Sequence, residues 1–178
     1  MRHFAVVLAS TLVAFLAAVV ASVGDPQSAA AATRVNSCTS GKIELKDDEK
    51  RIFDLQNRER DDRGLPKLCV HPKLQKIARN HSKDMVERDY FSHKTKGSGR
   101  TPEQRAKRAG YNYRDFGENI GYGATPGAVF DSWMRSSLHR ANILNKRFRE
   151  VGVGAETGHF KPAGGTTTVY TVDFGKRL

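Results

Sequence analysis

The residues whose types and spacing could do chemistry are two histidines, one glutamate and one serine. His93 follows the aromatic pair Tyr90-Phe91, where an apolar wall meets solvent. Glu118 sits among glycines in the stretch Phe116 to Gly123, FGENIGYG. His139 lies just past an apolar stripe that holds the only tryptophan, Trp133, and Ser136 precedes it by three residues. Two neutral imidazoles can hold zinc at about 2.0–2.1 Å and leave positions for water. Glu118 could ligate the ion, orient a water or take its proton. Ser136 is a conceivable nucleophile, but helical spacing sets it off the face of His139. There is no HExxH spacing and no GxSxG elbow. The alternative is that the acid and the histidines bond one another and brace a strand against helices. The expectation carried forward is that His93, Glu118 and His139 converge on one cleft.

Helices and strands must bring these segments together. Apolar positions Ile52, Phe53 and Leu55, interleaved with charge, predict a helix from Asp48 that ends between Arg60 and Gly64. Leu65 and Leu68 then point inward. Pro72 fits a first helical position. Leu74, Ile77, Ala78, His81 and Met85 follow on one stripe, with His81 read as a hydrogen-bonded core residue. Thr101, Pro102 and Gln104 give a capping box for a third helix, stopped at Gly110. A short strand is expected around Glu118 to Tyr122. Thr125-Pro126 caps a fourth helix whose buried stripe is Val129, Phe130, Trp133, Ser137 and Leu138. His139 to Leu144 continues as a turn or short helix. Glu150 to Ala155 and Thr166 to Phe174 read as a terminal β-hairpin, the first strand lined on one face by small residues. Helices before antiparallel strands argue an α+β sandwich.

The chain has 178 residues, enough for one ordinary domain. Residues 1–32 have the three parts of a signal peptide: Arg2, an apolar run from Phe4 to Val20, and small residues from Ser28 to Ala32. Cleavage is expected after Ala32, with Ala21 as the other choice. Residues 33–48 read as a polar tether anchored by Cys38, and 49–178 as the domain. The expected location is secreted, or extracellular, with no transmembrane segment after cleavage. Cys38 and Cys69 are the only cysteines. Export and an even count favour a disulfide, worth roughly 3–4 kcal/mol in the chain-entropy model, over two unpaired thiols. The net charge of +11 draws the protein to anionic surfaces. Its basic residues cluster at Arg100-Arg105-Lys107-Arg108 and at Lys146-Arg147-Arg149. No motif of a specific nucleic-acid binder occurs.

These pieces in this order resemble the CAP superfamily, or SCP domain, of cysteine-rich secretory, antigen 5 and pathogenesis-related proteins, in its bacterial branch. The resemblance runs from Ile52 to Phe174. It rests on Asn57 with Arg60 and Gly64-Leu65-Pro66, His81-Ser82 with Met85, Phe91-Ser92-His93, and Gly117-Glu118-Asn119-Ile120. Trp133 with Ser136, His139-Arg140 with Asn142-Ile143-Leu144, and Gly152-Val153-Gly154 complete it. It implies an α-β-α sandwich with a mostly antiparallel central sheet. It also implies a binding cleft at His93, Glu118, Ser136 and His139. In many relatives two histidines and two acids there bind a divalent metal. His93, Glu118 and His139 match three of them; Ser136 stands where eukaryotic relatives carry the second acid.

Three functions follow from this reading. The first is an exported binding module for a lipid-like or sterol-like ligand or a surface partner, with Zn2+ or another divalent cation in the cleft. Tyr111, Tyr113, Tyr122 and Phe130 would line its groove or belong to the core. The second is a metal-assisted hydrolase of a peptide, ester or phosphate bond, with Glu118 as the catalytic candidate. The third is a basic adhesive protein held on an anionic cell-surface polymer by charge.

Overall fold

The structure is a computed structural model and describes residues 33–178. The expected signal peptide and its cleavage points lie outside those residues. Strands β1 (Thr33–Asn36) and β2 (Lys42–Leu45) form an antiparallel hairpin. Helix α1 (Asp47–Asp61) follows, then β3 (Cys69–Val70), α2 (Pro72–Glu87) and α3 (Pro102–Arg108). Strand β4 (Tyr113–Gly123), helices α4 (Pro126–Arg135) and α5 (Ser137–Ile143), and strands β5 (Glu150–Phe160) and β6 (Gly165–Arg177) complete the chain. The main sheet has the order β3-β5-β6-β4, antiparallel except for β3 beside β5. Helices α2 and α3 cover one face, and α1, α4 and α5 the other. This is the expected α+β sandwich. Among the described residues no helix is long and apolar enough to cross a membrane.

Helix α2 is seated by what β5 lacks. A Cβ on Gly152 would lie 2.1 Å from the Leu74 carbonyl carbon, and one on Gly154 would lie 2.3 Å from the Ala78 carbonyl oxygen. The helix backbone therefore rests directly on the strand backbone, an approach only glycine permits. Two side chains lock the contact. Gln75 accepts from Val153 N at 3.0 Å through Oε1 and donates back to Val153 O through Nε2. Ser82 Oγ donates to Gly154 O at 3.1 Å and meets Thr171 Oγ1 at 3.0 Å. The expected small face of the first hairpin strand is this docking surface.

On the other face Arg60 is wholly buried, and among the described residues no carboxylate pairs with it. Its guanidinium donates instead to the carbonyls of Pro66, Ile143, Asn145 and Phe148, at 2.8 to 3.2 Å. Burial, with the charge of Arg149, lowers its pKa to about 10, so it stays protonated at neutral pH. Asn57 closes the loop beside it through paired bonds with Leu68. Leu68 is buried as expected, whereas Leu65 is only partly covered.

Three expectations need correction. The segment 33–48 is not a plain tether: its strands alternate, Val35 and Ile43 pack on the core, and Leu45 is fully buried. The disulfide Cys38–Cys69 and a bond from Cys38 N to Val70 O at 2.9 Å tie this hairpin to β3. Strand β4 runs well beyond Glu118 to Tyr122, because β6 pairs with it over nearly its whole length. The fourth helical stripe ends early: Ser136 adopts an extended backbone, φ −86° and ψ 122°, and Leu138 is 80% exposed.

The glycine seating predicts a contrast between substitutions. Gly152→Ala should destabilise by about 3 kcal/mol or more, because the clash is with backbone and cannot relax by rotamer change. Gly127→Ala, in open space on α4, should be neutral or gain up to about 1 kcal/mol of helix propensity. Urea denaturation of both variants measures the difference.

Candidate functional site

The candidate residues lie on or beside β4, an edge strand of the main sheet. Glu118 and Asp173 are register partners on β4 and β6 and face α2, alongside Ile120 and Thr171. Gly117, Asn119 and Gly121 face α4 and α5. A Cβ on Gly121 would come within 2.9 Å of Trp133 Nε1, so the indole packs directly against the strand backbone. Trp133 Nε1 donates to Ile120 O at 2.9 Å, and Asn142 Nδ2 donates to Glu118 O at 3.2 Å. These two side chains satisfy carbonyls of an edge strand that would otherwise invite pairing.

Glu118 is held on both oxygens. One accepts from Arg105 of α3, whose side chain is 12% exposed, and the other meets His93 Nδ1 at 2.7 Å. The carboxylate side chain itself is 2% exposed. His93 stands on the loop after α2, and that loop is braced twice. His81 Nε2 bonds Ser92 O at 3.0 Å, and Arg105 Nη1 donates to His93 O at 2.6 Å. His81 is thus the bonded core histidine expected, and its task is to hold the His93 loop. The Nε2–O contact with a carbonyl makes Nε2 the protonated nitrogen of a neutral ring. Burial drives the His81 pKa down to about 4 against the pull of Glu118.

His139 approaches from the opposite face of the sheet. Asn119 Nδ2 donates to its backbone oxygen at 3.0 Å. Its ring stacks near Trp133, centroids 6.5 Å apart, and its Nδ1 lies 2.9 Å from Ser136 Oγ. Ser136 is therefore on the same side as His139, contrary to expectation: it caps α5, and residues three apart at the start of a helix are neighbours. Burial first and the nearby His93 second hold the His139 pKa below its ordinary value, so the ring is neutral at pH 7. Each site histidine thus has Nδ1 engaged and Nε2 left over. Among the described residues no three His, Cys, Asp or Glu side chains form a ligand cluster.

Two residues escaped the sequence reading. Arg105 counted there only as part of a basic patch, yet it neutralises Glu118. Asp173 is completely buried between the apolar Val172 and Phe174, and neither oxygen has a partner in full hydrogen-bonding geometry. Complete burial and the Glu118 charge push its pKa well above the carboxylate range. Arg105 offsets one negative charge, and Asp173 holds its proton to higher pH than an ordinary carboxyl. The available signal was an acid at an inward position of an apolar strand.

A cavity of about 340 Å³ runs along the β4 edge to His139. Phe91, Tyr122, Val129 and Trp133 line it, and Phe91 and Tyr122 are each 40% exposed. Of the four aromatics expected there, only Tyr122 lines the groove. Tyr111 and Phe130 are core, Tyr111 donating to Glu150 at 2.7 Å, and Tyr113 packs beside Tyr111.

A sequence model of CAP, the cysteine-rich secretory protein family, matches residues 53–174. The chain is 40% identical over 126 residues to the uncharacterized protein YkwD of Bacillus subtilis (strain 168), covering 70% of this chain and 49% of that protein. It spans about half the length of that relative, and less of a second, the uncharacterized membrane protein YlbC of the same organism. An extracellular SCP-domain protein of Bacillus anthracis str. Ames superposes with TM-score 0.63 at 32% identity, over 73% of this chain and 40% of that one. An outer surface protein of Borrelia burgdorferi gives TM-score 0.64 over 83% of this chain and 99% of that one; at 20% identity it shows the fold alone.

The electrostatics yield two expected outcomes. Glu118→Gln should cost about 3 kcal/mol, because it leaves the buried Arg105 charge without its carboxylate. Asp173→Asn should change stability by less than about 1 kcal/mol at pH 7, since an amide resembles the protonated acid; thermal and urea denaturation of the pair check this. His81 sets a pH dependence. Its folded-state value, about 4, lies below the ordinary 6.5, so the unfolded chain takes up the proton first. Its contribution is flat above pH 6.5 and falls as pH drops toward 4, by roughly 3 kcal/mol in all. His81→Gln should flatten that slope in urea titrations between pH 4 and 7.

Proposed function

The chain belongs to the CAP family of cysteine-rich secretory proteins, and on that premise we propose that it is an exported binding module. Its cleft takes an amphipathic, lipid-like ligand in the groove beside His139 and a divalent cation on the two histidines. The supporting observation is the arrangement of those rings. His93 Nδ1 is tied to Glu118 and His139 Nδ1 to Ser136, which holds both rings; with the proton on Nδ1, each Nε2 presents a lone pair to a cation. The neutral state of His139 suits a metal ligand. Glu118, engaged by Arg105 and His93, serves as the group that orients His93, not as a ligand. A bound cation would supply a polarising charge for the polar head of a ligand whose apolar part lies on Phe91, Tyr122 and Trp133. Export is supported by the leader-like start of the sequence and by the disulfide, a bond that persists in oxidising compartments.

Hydrolysis is a second reading, favoured by the Ser136–His139 contact alone. In that reading His139 Nδ1 takes the Ser136 proton. Among the described residues no carboxylate hydrogen-bonds His139, so nothing there stabilises the imidazolium that this step forms. We therefore place binding first.

Calorimetry with Zn2+ on metal-stripped protein tests the proposal. Wild type should take up one equivalent, His93→Ala/His139→Ala none, and Glu118→Gln should bind about 10-fold or more weakly. Equal uptake by wild type and the double variant would overturn the site. Trp133, the only tryptophan, lies in the groove and should report fatty-acid binding by a saturable fluorescence change that Phe91→Ser/Tyr122→Ser removes. Labelling of Ser136 by a fluorophosphonate would instead carry the hydrolase reading.

A further inference from the structure

A second concavity, about 430 Å³, lies on the α2–α3 face, away from the β4-edge groove. Lys73 and Lys76 of α2 bound it on one side, and Arg100 and Arg108 on the other; Ile77 and Ala109 are among its apolar lining. Arg105 also reaches it, but its charge is matched by Glu118. The one acid on its wall, Asp84, is already engaged by Arg88 and Tyr90. Among the described residues, the side chains of Lys76, Arg100 and Arg108 make no hydrogen bond or ion pair, and Lys73 bonds only the Gly110 carbonyl. Four positive charges thus ring one hollow with no carboxylate to offset them.

Helix placement makes this costlier than an ordinary solvated face. The first turn of α2 holds no acid, and Lys73 sits in it against the positive end of the helix dipole. A cation there is placed against the local field. Like charges around a concave surface raise each other's energy, and the low-dielectric wall of the hollow focuses the field. An anion would relieve both.

The chemistry of the lining narrows the anion. Arg100 and Arg108 offer planar forks that suit phosphate bidentately. Four cations call for more charge than a single carboxylate brings. The wall carries no Phe, Tyr or Trp, and its one ring, His81, is 2% exposed and bonded to the Ser92 carbonyl, so it offers no open face on which a base could stack. Asn80 and Thr95 add neutral polar groups fit for hydroxyls. None of the exposed large apolar side chains, Phe91, Tyr122, Leu138 and Leu178, lines this hollow, so nothing there would anchor a lipid surface. We propose that the hollow between α2 and α3 is a binding site for a soluble, non-aromatic ligand bearing several phosphates, a polyol or sugar oligophosphate or a segment of a phosphodiester chain. Neither His93 nor His139 lines it.

Tripolyphosphate is the probe, titrated calorimetrically into purified protein at fixed ionic strength. Wild type should bind it saturably at one site. Lys76→Ala/Arg108→Ala should weaken binding about 10-fold or more. Arg135→Ala/Lys146→Ala removes the same net charge from exposed positions outside the hollow and should change it less than about 2-fold. His93→Ala/His139→Ala should leave it unaltered. Equal losses in the two charge variants would overturn the proposal in favour of diffuse attraction by net charge. Binding to phosphatidylglycerol vesicles without saturable uptake of tripolyphosphate would overturn it in favour of a membrane surface.

Discussion

The structure depends on backbone lying on backbone where α2 crosses β5. Gly152 and Gly154 leave no room for a side chain, so the helix sits closer to the sheet than side-chain packing allows. That closeness fixes α2 in both height and register, through Gln75 on Val153 and Ser82 on Gly154 and Thr171. From α2 the effect passes outward. His81 holds the Ser92 carbonyl and so the His93 loop, while Leu74 and Ile77 pack with Ala106 and seat α3. Arg105 on α3 then reaches Glu118. A helix an ångström higher would lose each of these contacts in turn.

Buried charge is handled by two different solutions on the two faces. Arg60 has no acid, and backbone carbonyls from two loops absorb its donors, which ties α1 to the segment entering β5. Such a group gives geometry more than net stability, since its desolvation offsets its bonds. Around Glu118 there are two carboxyls for one guanidinium. Keeping a proton on Asp173 avoids an unbalanced negative charge inside the sheet. Glu118, paired with Arg105, also holds His93 by its Nδ1.

The β4 edge shows how the fold leaves a site open without leaving a sticky edge. Trp133 and Asn142 bond outer carbonyls of the strand, so the groove beside it presents aromatic surface and imidazole, not a free ladder. His93 and His139 reach that edge from opposite faces of the sheet. Residues that straddle an edge strand can approach one ligand though they belong to different layers.

The sequence by itself determined the helices, the terminal hairpin and most of their ends, because caps, prolines and apolar periodicity are local signals. Thr101 with Gln104, Thr125 with Pro126, and the Leu74-to-Met85 stripe all stand where read. The order of its motifs also determined the family, and the glycine alternation at 152–154 announced a small-residue face. Tertiary structure alone decided the rest. The length of β4 comes from its partner β6, and the order in segment 33–48 from its disulfide and its core contacts. Ser136 and His139 stand together at the head of α5 because α4 ends at Ser136 and a new helix starts there. The binding of Glu118 to Arg105, and the burial of Asp173 opposite it, were not legible. Those pairs join residues far apart in the chain, and their protonation follows from desolvation, which exists only once the sheet and α2 have closed over them.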